Sequence, residues 1–129
     1  MKHLLPKGWP RPSGYSNGIE AEGRQVFVAG MIGWDESGNF PDGFAAQMEQ
    51  ALRNTTAVLA EADAGPEDVV RMTWYVTDLD AYRDDLAGIG AAWRDVMGKT
   101  FPTMAVVGVT GLVESAAMIE IETTAVVSR

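Results

Sequence analysis

Residues 117–127, AMIEIETTAVV, alternate without a break. Ile119, Ile121, Thr123, Ala125 and Val127 fall on one side of an extended chain, and Met118, Glu120, Glu122, Thr124 and Val126 on the other. Thr103–Val109 is a second apolar run, and the small, polar stretch Gly111–Ser115 between them predicts a turn joining a closing pair of strands. Val69–Thr77 reads as a third strand, with Val70, Met72, Trp74 and Val76 on one face and Arg71, Thr73, Tyr75 and Thr77 on the other. Bulky groups on both faces predict that both are covered. Gln25–Ala29 is β-branched and aromatic enough for a fourth strand, and Ile19–Glu22 for a short one turning at Gly23. The period changes elsewhere. Phe44, Met48, Ala51, Leu52, Thr55, Val58 and Leu59 recur at helical spacing, with Asp42 as the expected N-cap and Gly65–Pro66 as the stop. Tyr82, Leu86, Ile89, Trp93 and Val96 predict a second helix, capped by Asp78 or Asp80 and ended by Gly98. Gly88 and Gly90 weaken that helix by about 1 kcal/mol each relative to alanine unless close packing needs them. Gly30, Gly33 and Gly38 mark a loop before the first helix, and residues 6–18, rich in proline and glycine, make an extended entry that is not helical.

The resulting order is strand, strand, helix, strand, helix, strand, strand. Two amphipathic helices on one face of a mixed β-sheet predict an α+β two-layer sandwich. The chain is expected to form one domain over residues 1–129, with residues 1–13 as an extended basic arm. The sheet face away from the helices then carries Glu120, Glu122 and several bulky side chains. If water does not cover it, another subunit must, which points to an oligomer.

Composition narrows the chemistry. There is no cysteine, so disulfides, thiolate nucleophiles and cysteine metal sites are excluded, and a cytoplasmic setting is expected. The only histidine, His3, falls in the arm, where a flexible position is expected, so neither a metal nor a histidine base is expected. No apolar run approaches the roughly 20 residues that cross a bilayer, and the first residues lack a secretory core. The net charge is −8. Lys2, Lys7 and Arg11 precede the first acid, Glu20, so residues 1–19 carry +3 and the remainder −11. So acidic a body repels phosphate backbones and argues against nucleic acid as a partner.

Five stretches together, GYSNG (14–18), VFVAGMIG (26–33), DVVRMTWYVTD (68–78), FPTMAVV (101–107) and IEIETTAV (119–126), resemble the Rid family, also called the YjgF type. The likeness runs in order from Gly14 to Val127. It implies a chorismate-mutase-like α+β fold and a homotrimer with ligand clefts between subunits. It also implies hydrolysis of reactive enamines and imines to keto acids and ammonia, with no metal or cofactor. KGW (7–9), GYSNGI (14–19), RMTWYVTD (71–78), MG (97–98) and IEIETTAVV (119–127) are similar to one branch in particular, the 2-aminomuconate deaminases. Archetypal members carry an arginine two residues after the proline of the FP motif, where it grips the substrate carboxylate. This chain has Met104 there, and a thioether cannot replace two charge-assisted hydrogen bonds, which argues against 2-iminopropanoate as the substrate. The family's helix-two asparagine falls at Gly90.

The resemblance assigns Glu120 and Tyr15 to the cleft, Glu120 as the proton shuttle and Tyr15 as a hydrogen-bonding group. From alternation alone Glu120 and Glu122 are solvent-facing strand residues; the family match moves Glu120 to the site and leaves Glu122 on the surface. Tyr15 is equally well a packing residue in a glycine-flanked turn. With Met104 in the cleft, a substrate carboxylate needs another cation, for which Arg71, Lys7, Arg11 and Lys99 are the candidates. For Arg71 a structural ion pair with Asp68 or a strand glutamate is the stronger expectation. Met31, Trp34 and Phe101 complete the expected ligand surroundings. The other tryptophans and methionines read as core or subunit-interface residues. Three functions remain in competition: a cofactor-free enamine or imine deaminase, a non-catalytic protein holding a small metabolite between subunits, and, weakest, an endoribonuclease.

Overall fold

The computed structural model describes all 129 residues. In chain order the elements are β1 (Lys2–Leu4), β2 (Gly18–Glu20), β3 (Arg24–Ile32), α1 (Phe44–Ala60), a 3-10 turn (Pro66–Asp68), β4 (Val69–Val76), α2 (Leu79–Asp84), α3 (Leu86–Met97), β5 (Thr103–Gly108) and β6 (Ile119–Val127). The main sheet has the order β3–β6–β4–β5, with β4 and β5 parallel and the other pairs antiparallel. The α+β architecture with a mixed sheet and helices on one face is the expected one. Ile119, Ile121, Thr123, Ala125 and Val127 are buried together with Met72 and Val76 of β4 and Met48, Leu52 and Leu59 of α1. Ile89, Trp93 and Met97 bring α3 into the same core.

The last two strands are not a pair. β4 lies between β5 and β6, and residues 109–118 carry the chain across it, tied by Val109 N–H to Val76 O (2.9 Å) and Thr77 N–H to Met118 O (3.1 Å). The helical crossover places β5 parallel to β4 on one side. The free edge on the other side takes β6, whose apolar face meets α1. β3 is longer than its β-branched run. It continues through Ala29–Ile32 with a bulge between Val28 and Met31, so the loop expected from Gly30 is partly strand. The helix α1 begins after Gly43 rather than at Asp42, because the chain enters with φ 92°, a conformation suited to glycine. It stops at Ala60, ahead of Gly65–Pro66, which instead open the 3-10 turn. The expected second helix is two. Asp78 accepts from the amides of Asp80 and Ala81 to start α2, and Asp85, itself non-helical, accepts from Gly88 N–H to start α3. A β-carbon at Gly88 would lie 2.4 Å from the Asp85 carboxylate, so this glycine makes room for the second cap.

The arm is also more ordered than expected. β1 pairs antiparallel with β2, and His3 Nδ1 lies 2.8 Å from Ser16 Oγ. Ser16 Oγ gives its one proton to Phe101 O, so His3 Nδ1 is the donor to it. Asp68, one of the partners expected for Arg71, is buried and takes two hydrogen bonds from Arg129 (2.8 and 3.1 Å) and one from Gly65 N–H (2.9 Å).

The Gln47 side chain, buried on α1, accepts from Met118 N–H at 2.8 Å and donates to Ala116 O at 3.0 Å. It thereby clamps Met118, the residue just before β6 and two before Glu120. Behind it the α1 backbone closes on Gly33, where an added β-carbon would sit 2.3 Å from Gln47 O. Neither backbone can yield cheaply. Gly33→Ala is expected to destabilise the chain by about 1–3 kcal/mol or more, read as a lowered urea midpoint with an unchanged slope.

Candidate functional site

Tyr15 is placed by its neighbour. Ser16 N–H bonds to Pro102 O (3.0 Å) and Ser16 bridges Thr103 in parallel fashion, so the Gly14–Ser16 segment extends the sheet beyond β5. Tyr15 and Phe101, both partly exposed, stand with Lys99 on a ridge shared by two grooves. The first groove, about 650 Å³, is lined by His3, Arg11 and Lys99 and also by Glu67.

The second is a cleft of about 800 Å³ between α3 and the strands β4 and β5. Met104 pairs with Met72 across the parallel ladder and therefore points to the helix side of the sheet, as Val106 does beside Trp74. These side chains, with Ile89, Trp74 and Trp93, give the cleft an apolar wall. Trp93 Nε1 donates to Thr100 O at 3.1 Å, whereas the buried Trp74 Nε1 has no hydrogen-bond partner. Arg94 and Lys99 are the charged residues of the lining, and no carboxylate is among them.

Glu120 lies elsewhere. It pairs with Tyr75, whose neighbours Trp74 and Val76 are buried, so its side chain is on the sheet face away from the helices. The expected closing pair of strands would have set Glu120 opposite the Met104 strand, and this is corrected: β4 separates β6 from β5, and within one protomer the two side chains occupy opposite faces. Glu120 is half-buried and has neither an ion pair nor a hydrogen bond; its carboxylate lies over Gly30, where a β-carbon would approach within 2.6 Å. Nearby, the Tyr75 hydroxyl donates to Glu122 Oε1 at 3.2 Å. That hydrogen bond, then partial burial and the charges of Glu122 and Glu120, push the phenol above its ordinary value, against the opposing charge of Arg71. Arg71 is exposed on this face without an ion pair, so the expected structural salt bridge is absent.

Of the remaining candidates, Arg11 lines the arm groove, and Lys7 is exposed and lines neither groove. Met31 packs against the core, and Trp34 stands beside Phe40, ring centroids 5.9 Å apart, away from both grooves. The chain therefore assembles Tyr15, Phe101, Met104 and Lys99 on one side and Glu120 with Arg71 on the other. Arg94 went unnoticed in the sequence. Its signal was there: it sits one helical turn after Gly90, the position compared with the family's asparagine.

A family profile described as Endoribonuclease L-PSP matches residues 10–127. A RutC family protein of Aquifex aeolicus is 35% identical over 128 residues, covering 98% of this chain and 99% of its own. TdcF of Escherichia coli, named as a candidate reactive intermediate deaminase, is 30% identical over 116 residues, 87% of this chain and 85% of its own. The crystal structure of TdcF with bound serine superimposes with a TM-score of 0.70 over 99% of this chain and all of that one, at 28% identity. A Rid family protein from Yersinia pestis superimposes with a TM-score of 0.81 over 98% of each chain, at 30% identity.

The Tyr75–Glu122 contact has a spectroscopic consequence. The raised phenol contributes stability that is complete below the ordinary value of 10.0 and is lost as pH rises through the folded value. In a phenolate absorbance titration, one of the three tyrosines is expected to ionise late. Tyr75→Phe should remove that component and Glu122→Gln should bring it back toward the ordinary range.

Proposed function

The chain belongs to the Rid (YjgF) family, and on that premise we propose that it is a cofactor-free deaminase that hydrolyses an imine, or the enamine in equilibrium with it, to an oxo acid and ammonia. The substrate we infer is 2-aminomuconate or a related unsaturated amino acid. The observation that carries the reading is Glu120, a half-buried carboxylate over Gly30 with no partner in its own chain. Such a group is placed to receive and return a proton.

The chemistry asks little more. Water adds to the C=N carbon, the nitrogen takes up a proton, and the resulting carbinolamine expels ammonia as the C=O bond forms. Glu120 takes a proton from the attacking water and passes it to the imine nitrogen, then takes the carbinolamine's hydroxyl proton and passes it to the departing amine. Tyr15 hydrogen-bonds the substrate or the water, while Met104, Val106 and Phe101 provide an apolar bed for an unsaturated chain. Because Glu120 and Met104 lie on opposite sheet faces, a site that uses both is completed across a subunit boundary. We therefore propose a homotrimer in which a second protomer also covers Phe27 and Val107, which are exposed on the Glu120 face in the single chain. A second reading, a non-catalytic metabolite binder, is favoured by Met104 itself, since loss of the carboxylate-gripping arginine accompanies such a change of role. An endoribonuclease is the weakest reading, because a chain of net charge −8 has little electrostatic attraction for RNA; binding at two salt concentrations tests it.

Loss of freshly generated 2-aminomuconate, followed by absorbance beside 2-iminopropanoate, tests the deaminase. Acceleration on the muconate that falls about a hundredfold or more in Glu120→Ala is the expected result. Acceleration that survives the substitution would discard Glu120 as the shuttle, and no acceleration on either compound would favour the binding protein. Met104→Arg is expected to increase activity on 2-iminopropanoate. Light scattering at micromolar concentration should give three copies of the 13.9 kDa chain, and a monomer would overturn the shared site.

A further inference from the structure

Position 104 leaves the cleft without the cation that the family uses, yet the cleft is not without one. Arg94 lies one turn beyond Gly90 on α3, and its Nη1 would be 3.4 Å from a β-carbon at Gly90. The side chain thus runs back along the helix toward its N-terminus and rests on the bare backbone that glycine leaves. Both residues line the same cleft as Met104 and Val106.

One observation separates this placement from ordinary surface charge, although Arg94 is exposed. An arginine in the last turn of a helix is usually explained by the negative end of the helix dipole, but this guanidinium is folded away from the C-terminal carbonyls. Like Arg11, Arg24 and Arg71 it has no ion pair, whereas Arg53 and Arg83 each have one and Arg129 has two. Its surroundings are apolar on one side, with the unpartnered indole N–H of the buried Trp74 in the same wall. Lys99, the other cation, stands at the Phe101 ridge.

We propose that Arg94, made available by Gly90, is the carboxylate-binding group of this cleft and takes the part that residue 104 plays in archetypal relatives. The ligand is a planar unsaturated or aromatic carboxylate, its charge on the Arg94 fork and its body against Ile89, Met104 and Val106. A guanidinium reaching in from the helix, rather than from β5, leaves the strand side apolar. The cleft then selects conjugated chains over the smallest imino acids. This inference builds on the deaminase reading for its substrate class, but the binding step stands apart from catalysis.

Sorbate, a stable conjugated monocarboxylate, and its neutral amide sorbamide serve as probes, titrated into the full-length protein and followed by chemical-shift changes. Wild type is expected to bind sorbate more tightly than sorbamide. Arg94→Ala should weaken sorbate about tenfold or more and leave sorbamide nearly unchanged. Gly90→Leu keeps the charge and favours the helix, but occupies the guanidinium's resting place; it should weaken sorbate in the same direction. Lys99→Ala should have the smaller effect. Sorbate affinity unchanged in Arg94→Ala, a dominant effect of Lys99→Ala, or no preference for sorbate in wild type would each overturn the assignment. Sorbate bound through Arg94 by a protein inactive on every imine tried would leave the assignment standing and remove the deaminase reading alone.

Discussion

The register of β6 is the constraint on which the other parts depend. It is a central strand, hydrogen-bonded on both edges, and its alternate residues from Ile119 to Val127 are almost completely buried. A slip of one residue would carry Glu120 and Glu122 into the core and five buried side chains out of it. Both flanking ladders and the Gln47 clamp on Met118 therefore act on the same choice. Holding the core face in place also holds Glu120 on the opposite one. Thr123 shows how strong the constraint is, since its hydroxyl is buried without a hydrogen-bond partner and the strand keeps its register regardless.

The cleft depends on a different element, the parallel edge strand β5. An edge strand offers unpaired backbone groups, and the Gly14–Ser16 segment takes up part of them where β5 begins. The residues that fix this contact, Ser16 with Pro102 O and with Phe101 O, are immediate neighbours of Tyr15 and Phe101. Closing the sheet edge and aiming the ridge between the grooves are consequently one event, and His3, reaching Ser16 from β1, ties the arm to it.

Periodicity revealed the layers because burial is one-sided in this fold. The alternation of residues 119–127 and the helical spacing of Phe44 to Leu59 each describe a surface pressed against one core. What periodicity could not reveal was which strands are neighbours. Thr103–Val109 and Ala117–Val127 are adjacent in sequence and joined by turn-forming residues, and nothing local distinguishes a hairpin from a connection that crosses β4. The break at Asp85 was hidden for a related reason, because the apolar stripe from Tyr82 to Val96 continues across it while the two caps reset the backbone. Of the site, Tyr15, Phe101 and Met104 could be read from motifs, and Lys99 as one of several candidate cations. Arg94 went unnoticed because its only signal is its spacing from Gly90, and its place depends on the side chain that this glycine lacks.

Net charge gives these local arrangements their sense. An excess of carboxylates opposes every anion at long range, and screening confines that opposition to roughly a Debye length, about 8 Å at physiological ionic strength. An extended polyanion lies across many such regions at once and meets the repulsion repeatedly. A small carboxylate meets it once, and inside a cleft that holds two cations and no acid the near field is favourable. Hydrolysis of an imine then needs no strong base and no tightly held transition state, because the uncatalysed reaction is already downhill and fast. Orientation and one proton carrier are enough. On the proposed deaminase reading, a site divided between an apolar, cation-rimmed cleft and a solitary carboxylate on the opposite face of the sheet would meet that demand only when chains associate, and assembly and chemistry would then be a single requirement on the sequence.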